Sequence, residues 1–341
     1  MSHRVALSWL AAPCLLLAAA TSSAVAATTL KFGTVAPDNT PWSDELKAIQ
    51  KRVSGESAGS LEIKLYLGGQ LGGELEILQG VRRGRIQGGG FSTGALASAI
   101  PELDVLEIPF IFENNDEADF ILDHYLFEPF QKLFEQKGLV LVTWAENGWR
   151  DIATRTKPVL TPADLKGLKI RSQESKAHLG YWKKIGANPV PLAITEVLSS
   201  LQTGLIEGFD NTPLFTLAAE LNTGIKHYSV TRHIYQPGAI VFSKTTWDKL
   251  SESQRKTLMG PGNAMAPGSR KAVRALSDQL LSILKDSGVK VVELAPKERL
   301  AFKTAVAGYE QEIVPQLGGD SRRIYELVQE GKKDYASRKK K

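Results

Sequence analysis

Cysteine is almost absent from this 341-residue chain, and the single one, Cys14, sits in a leading apolar segment. That scarcity excludes a disulfide framework and a cysteine-ligated zinc site. A charge of one sign is lacking as well. Lys and Arg number 42 against 37 acidic residues, but Arg4 and the terminal Arg338, Lys339, Lys340 and Lys341 supply the whole excess, leaving 37 against 37. A nucleic-acid binder carries its positive charge on a folded face, so the composition argues against one, and the basic tail reads as a solvated end. Long apolar runs are missing beyond the first segment, which excludes a multi-span membrane protein. No repeat or low-complexity stretch is present. The remaining balance, 43% apolar and 23% charged, is that of a globular protein long enough for two domains.

Catalytic motifs are also missing. Gly68-Gly69-Gln70-Leu71-Gly72-Gly73 resembles a phosphate loop but lacks the GK[ST] ending, and Gly88 to Gly94 does not keep the GxGxxG spacing. A tight backbone bend is the better reading of both. There is no GxSxG elbow, HExxH pair or EF-hand loop. His124, His178, His227 and His233 lack metal-ligand spacing, apart from one i, i+6 pair. A triad can still assemble from distant residues, so a secreted enzyme remains one alternative. No metal or cofactor is implied.

The first segment reads as an address. Arg4 precedes a mostly apolar run from Val5 to Ala20, and Ala24-Val25-Ala26 is a small-x-small step. Residues 1–26 are therefore expected to be a secretory signal peptide cut near Ala26. The run is short of the ~20 apolar residues a bilayer span needs.

The body alternates strands and helices. Leu30–Val35, Leu61–Tyr66 and Ile86–Phe91 read as strands. Thr40-Pro41 starts a helix that Gly55 stops, and Glu74–Arg83 forms another. A helix over Asn115–Gln136 leads into a strand over Gly138–Ala145. Thr195 is expected to cap a helix ended by Gly204, and Ser251–Gln254 is a capping box. One long helix is expected from Pro267 to Gly288, then a strand over Val289–Val292 and two helices. Strands joined through helices imply an α/β fold with parallel pairing and ligands at strand ends.

Several groups at the expected strand ends suit an anion. Asn147-Gly148-Trp149-Arg150 follows one, Arg171 ends another, and Asn211 follows a third. A guanidinium is a planar fork of donors that matches a carboxylate, and an Asn amide can add a further donor. Taken singly, each arginine fits an ordinary surface position better, and Trp149 and Trp182 fit core or domain-interface packing equally.

Six stretches together resemble the solute-binding receptors of tripartite ATP-independent periplasmic (TRAP) transporters, the dicarboxylate-receptor type. They are LKFGTVAPDNTPW at 30–42, LGGQLGGELEILQGVRRGRI at 67–86 and PELDVLEIPFIF at 101–112, then NGWRDIATRTKPVLTPADLKGLKIR at 147–171, GANPVPLAITEVLSSLQTGLIEGFDN at 186–211 and WDKLS at 247–251. The resemblance implies a two-domain periplasmic binding protein fold with crossing hinge strands, a long domain-spanning helix and a ligand cleft between domains. Domain I would comprise 27–148 plus 237–276, and domain II 149–236 plus 277–341. It implies Arg171 as the main partner of a ligand carboxylate, assisted by Arg150 and Asn211. Ile194 would line the pocket, and Asn39, Glu74 and Thr93 the opposite domain. Phe209 stands where the family commonly has a polar residue, which with Ile194 suggests a less polar side to the pocket. The implied partners are a small organic acid and the membrane permease subunits of a TRAP transporter. A larger or more apolar ligand, or an ATP-driven transporter's binding protein, are the alternatives.

Overall fold

The computed structural model describes residues 27–339. The expected signal segment, Cys14 and the last two lysines lie outside them. Nine strands form one sheet: β1 (Thr28–Gly33), β2 (Leu61–Tyr66), β3 (Gly88–Ser92), β4 (Leu139–Thr154), β5 (Lys169–Ser172), β6 (Asn188–Pro191), β7 (Gly208–Asn211), β8 (His227–Ser243) and β9 (Lys290–Glu293). Their order is β2-β1-β3-β8-β4-β7-β5-β6, with β9 also on β8.

Two strands make this sheet continuous. β4 and β8 run 16 and 17 residues, far beyond the usual five or six. They pair antiparallel along their length. The last residues of β8 join β3, and its first join β9, while the end of β4 joins β7. The sheet therefore has two halves sharing one pair of strands. The polar stretch Asn147-Gly148 does not end β4 as its composition suggests. The ladder crosses it with register shifts between Glu146 and Gly148 and between Arg150 and Ile152. Such shifts bend and twist a strand without breaking it, and Gly148 takes the required left-handed φ of 104°.

Helices cover both faces. A core around Leu46, Val53 and Ile240 belongs to the first half, and one around Val197, Phe209 and Leu284 to the second. The largest core, from Ile77 to Val328, runs beneath both. The C-terminal helix Ser321–Arg338, expected with domain II, packs on the 101–126 segment, where Tyr125 donates to Asp334 at 3.0 Å and Lys332 meets Glu117 at 2.9 Å.

Local signals account for most helix ends. Thr40 caps Pro41–Glu56 in a capping box with Ser43, and Ser251 does the same with Gln254. Four expectations differ. Three helices rather than two follow β9: Pro296–Ala305, Tyr309–Leu317 and Ser321–Arg338. Residues 115–136 are helical, but Leu122–Leu126 is wound as a π-turn just ahead of Pro129, which has no N–H to continue the regular ladder. Glu196 rather than Thr195 precedes the Val197–Thr203 helix, because a 3₁₀ turn occupies Ile194–Glu196. The long helix is broken at Ala275 and Leu276 into Ala266–Arg274 and Ser277–Asp286.

The glycines of β3 serve packing. The ring of Trp42 lies over the sheet, so a Cβ at Gly90 would stand 2.8 Å from it and one at Gly238 2.5 Å. No other residue leaves that seat open. The Trp42 Nε1 donates to the Glu146 carbonyl at 2.9 Å, which ties the first helix to the bend in β4.

Candidate functional site

Where β3, β5 and β7 end beside the bend of β4, a cleft of about 450 Å³ of empty space opens, part of it to solvent. Arg150, Arg171 and Asn211 line it from one half; Glu74, Ser92 and Trp42 line it from the other.

The two arginines are in different states. Arg150 is buried within β4, and its Nε meets the Asp210 carboxylate at 2.5 Å. Its Nη1 donates to Gln236 at 2.8 Å and its Nη2 to the Asp210 carbonyl. Burial opposes its charge, but Asp210 outweighs burial and raises its pKa. In turn, burial would raise the Asp210 carboxyl, yet Arg150 and His233 hold it well below the usual range. His178 and His233 flank this carboxylate, 4.0 and 3.5 Å away.

Arg171 is also buried, 3% exposed. Among the described residues only its Nε has an acceptor, the Leu192 carbonyl at 2.9 Å. Burial, then the neighbouring Arg150 charge, pulls its pKa down to about 10. It is a desolvated cation with both terminal nitrogens free of protein acceptors. Burying a charge in this way is costly unless something pairs with it.

A hydrogen-bonded chain crosses the floor. The Ser92 hydroxyl donates to Glu74 at 2.9 Å and accepts from Gln173 at 3.0 Å; Gln236 donates to Gln173 at 2.6 Å and accepts from Arg150. Burial raises the Glu74 pKa, opposed by bonds from the Ser92 N–H and hydroxyl. This chain links the acidic wall of one half to the basic wall of the other.

Five expected residues thus line one cleft: Arg171, Arg150, Asn211, Ile194 and Glu74. Three do not. Phe209 packs in the second half's core with Val197 and Leu201, two residues deeper along β7 than Asn211. Its aromatic replacement does not make the cleft less polar; Phe215, one turn into the next helix, does that instead. Thr93 is fully buried behind the wall, its hydroxyl between Glu107 and the Pro237 carbonyl. Asn39 is exposed in the turn before the first helix, at a left-handed φ of 59°.

Sequence reasoning missed Trp42, Gln173 and Gln236. Gln173 stands two residues beyond Arg171, and so on the same strand side, a signal that was available. Gln236 reaches the cleft only through the crossing of β8 with β4, and Trp42 only through the docking of the first helix on the sheet.

Residues 32–316 match the DctP model, described as bacterial extracellular solute-binding protein, family 7. The chain is 30% identical over 317 residues to the 2,3-diketo-L-gulonate-binding periplasmic protein YiaO of Escherichia coli, covering 92% of this chain and 96% of that one. The fold is similar to that of the sugar acid binding protein DctPAm from Advenella mimigardefordensis in complex with galactonate, with TM-score 0.85 at 25% identity over 90% of this chain and 99% of that one. It is also similar to a TRAP periplasmic solute-binding protein from a Polaromonas species bound to D-erythronate, with TM-score 0.83 at 29% identity over 88% and 98%. No helix among the described residues is long and apolar enough to cross a membrane. A buried cation with free donors at the meeting of two half-sheets, in a chain matched over most of its length, leads to one conclusion: this protein belongs to the bacterial extracellular solute-binding proteins of family 7, the TRAP receptor type.

Proposed function

We propose that the chain is an extracytoplasmic receptor, not an enzyme, which captures a small polyhydroxylated monocarboxylate and delivers it to a TRAP-type membrane permease. One observation carries the reading. The Arg171 guanidinium is desolvated, sits beside a second cation and keeps its terminal nitrogens free of protein acceptors. A carboxylate bound there would satisfy two parallel donors at once. Asn211 and the fixed Arg150 would complete the anion end.

The far wall argues against a second carboxylate. It presents Glu74, an acceptor, and no cation. Hydroxyl groups donate to such a wall, whereas a dicarboxylate's second charge would face an acid. Relatives named for galactonate, erythronate and diketogulonate bind hydroxylated acids of this kind. In this reading the halves 27–148 plus 237–276, carrying the C-terminal helix Ser321–Arg338, and 149–236 plus 277–320 close about the bend in β4 and β8. Closure removes water from the cleft and strengthens the ion pair. The closed form would then dock on the permease.

Calorimetric titration of the purified mature protein with galactonate, glucuronate, erythronate and succinate tests this. At least one sugar acid is expected to bind with a dissociation constant of about a micromolar or tighter. Succinate is expected to bind at least about tenfold more weakly. Tight binding of succinate alone would overturn the monocarboxylate reading; hydrolysis or other turnover of the bound acid would overturn the receptor reading.

A further inference from the structure

A second cleft opens on the other face of β4. Successive strand residues point to opposite faces. Arg150 lines the carboxylate cleft, while its neighbours Trp149 and Asp151 line this one. The same division occurs at the end of β7, where Asn211 faces the first cleft and Thr212 the second. The rear cleft holds about 850 Å³ of empty space, partly open to solvent, against about 450 Å³ for the first. It is walled by β4, β8 and both pieces of the broken helix.

Its lining separates into two chemistries. Trp149, Leu214, Val273 and Leu280 give an apolar wall. The acids in the wall are already engaged. Glu146 meets Arg274 at 2.6 Å and accepts from the Tyr235 hydroxyl at 2.9 Å. Asp151 accepts from the Arg232 N–H at 2.8 Å and the Tyr228 hydroxyl at 3.3 Å, and burial pushes its pKa up to about 7. Arg274 is taken by Asp119 and Glu146.

Arg232 is the exception. It is exposed, held at a left-handed φ of 45°, and its side chain makes no ion pair or hydrogen bond among the described residues. It also lines an adjoining recess with Arg299, whose Nη2 donates to the Arg232 carbonyl at 3.2 Å. Glu113, the acid of that recess, is bound by Lys303. Two guanidiniums, those of Arg232 and Arg299, therefore stand at the mouth beside the apolar wall, with the Asp151 carboxylate behind them.

We propose that this rear cleft is a second binding site, for an amphipathic organic anion: an aromatic or alkyl group against Trp149 and Leu280, and its carboxylate or sulfonate on Arg232. The site stands apart from the sugar-acid reading, since none of these three residues lines the front cleft, although Asn147 lines both. A ligand of the front class, hydroxylated throughout, would gain little from this apolar wall.

Anilinonaphthalene sulfonate, an aromatic anion whose emission rises in apolar surroundings, is the probe. Titrated into the mature protein, it is expected to give a saturable signal with one site per chain. Arg232→Gln, at an exposed position, is expected to weaken it by about 3- to 5-fold. Leu280→Glu is expected to abolish it, because a carboxylate would replace the apolar contact. Arg171→Ala is expected to leave it unchanged. Circular dichroism melts confirm that each variant is folded, and the Arg232 variant decides the matter if the Leu280 variant is not. A signal unaffected by Arg232→Gln, lost in Arg171→Ala, or never saturating would overturn the proposal.

Discussion

Two arginine clusters lie on either side of the hinge strands, and they are built oppositely. In the first, Arg270 and Arg274 are shared among Asp119, Asp123 and Glu146. Arg270 meets Asp123 at 2.6 Å, and Arg274 meets Asp119 at 2.7 Å and Glu146 at 2.6 Å. In the second, Arg150 is paired with Asp210, while Arg171 keeps its two terminal nitrogens for the cleft. Both clusters are largely buried, so burial does not separate a ligand cation from a structural one. What separates them is unused donor capacity. A guanidinium whose terminal nitrogens go to protein acceptors, as in Arg270 and Arg274, holds elements together; one whose terminal nitrogens are left free in a cleft, as in Arg171, is set to meet an anion.

That contrast can be broken by substitution. Arg171→Ala has the largest expected effect, a loss of about 2–5 kcal/mol in binding of the preferred acid. Its melting temperature should stay near that of the parent, because a desolvated, unpaired cation is removed. Calorimetry and a thermal melt on one sample read both, and a folded variant with full affinity would abolish the distinction. Arg270→Ala should do the reverse. It leaves Asp123 without its partner and costs about 3 kcal/mol of stability, seen in a urea unfolding curve, with little change in acid affinity for the folded fraction. Arg171→Lys sharpens the comparison further. The charge remains but the fork is lost, so affinity should fall by about 1–2 kcal/mol, less than in the alanine variant.

The remaining test concerns pH. Burial first, opposed by the Arg232 N–H bond, raises the Asp151 pKa from 3.8 to about 7. An acid whose folded pKa is raised holds its proton longer in the native state, so it lowers stability as pH climbs from about 4 to about 7. The protein should therefore gain melting temperature from this group between pH 7 and pH 5. Asp151→Asn should reduce that gain without abolishing it, since burial also raises Asp104, to about 6. Melts of the two proteins at both pH values test this; equal slopes would show that Asp151 does not titrate as described.

Much of the secondary structure was legible because it is local. Thr40-Pro41, Ser251 with Gln254, and Gly204 at a left-handed φ of 77° end their helices with bonds made inside a few residues. The extent of β4 was not legible. Its polar Asn147-Gly148 reads as a loop until β8 is laid beside it, and only that partner carries the ladder across two register shifts. The broken helix at Ala275 was hidden likewise, since nothing in ALS at 275–277 forbids a helix.

The site divides along the same line. Residue type made Arg150, Arg171 and Asn211 candidates, because few other side chains offer such donors at strand ends, and the family resemblance marked them as an anion's partners. It could not tell that Phe209 turns into a core, that Thr93 lies behind the wall, or that Trp42 arrives from the first helix to rest on Gly90 and Gly238. Nor could it distinguish Arg150, held by Asp210, from Arg171, left free. Chemical capacity belongs to each side chain and is written in the chain. Which donors stay unused depends on acceptors brought from distant residues, and only the packed sheet brings them.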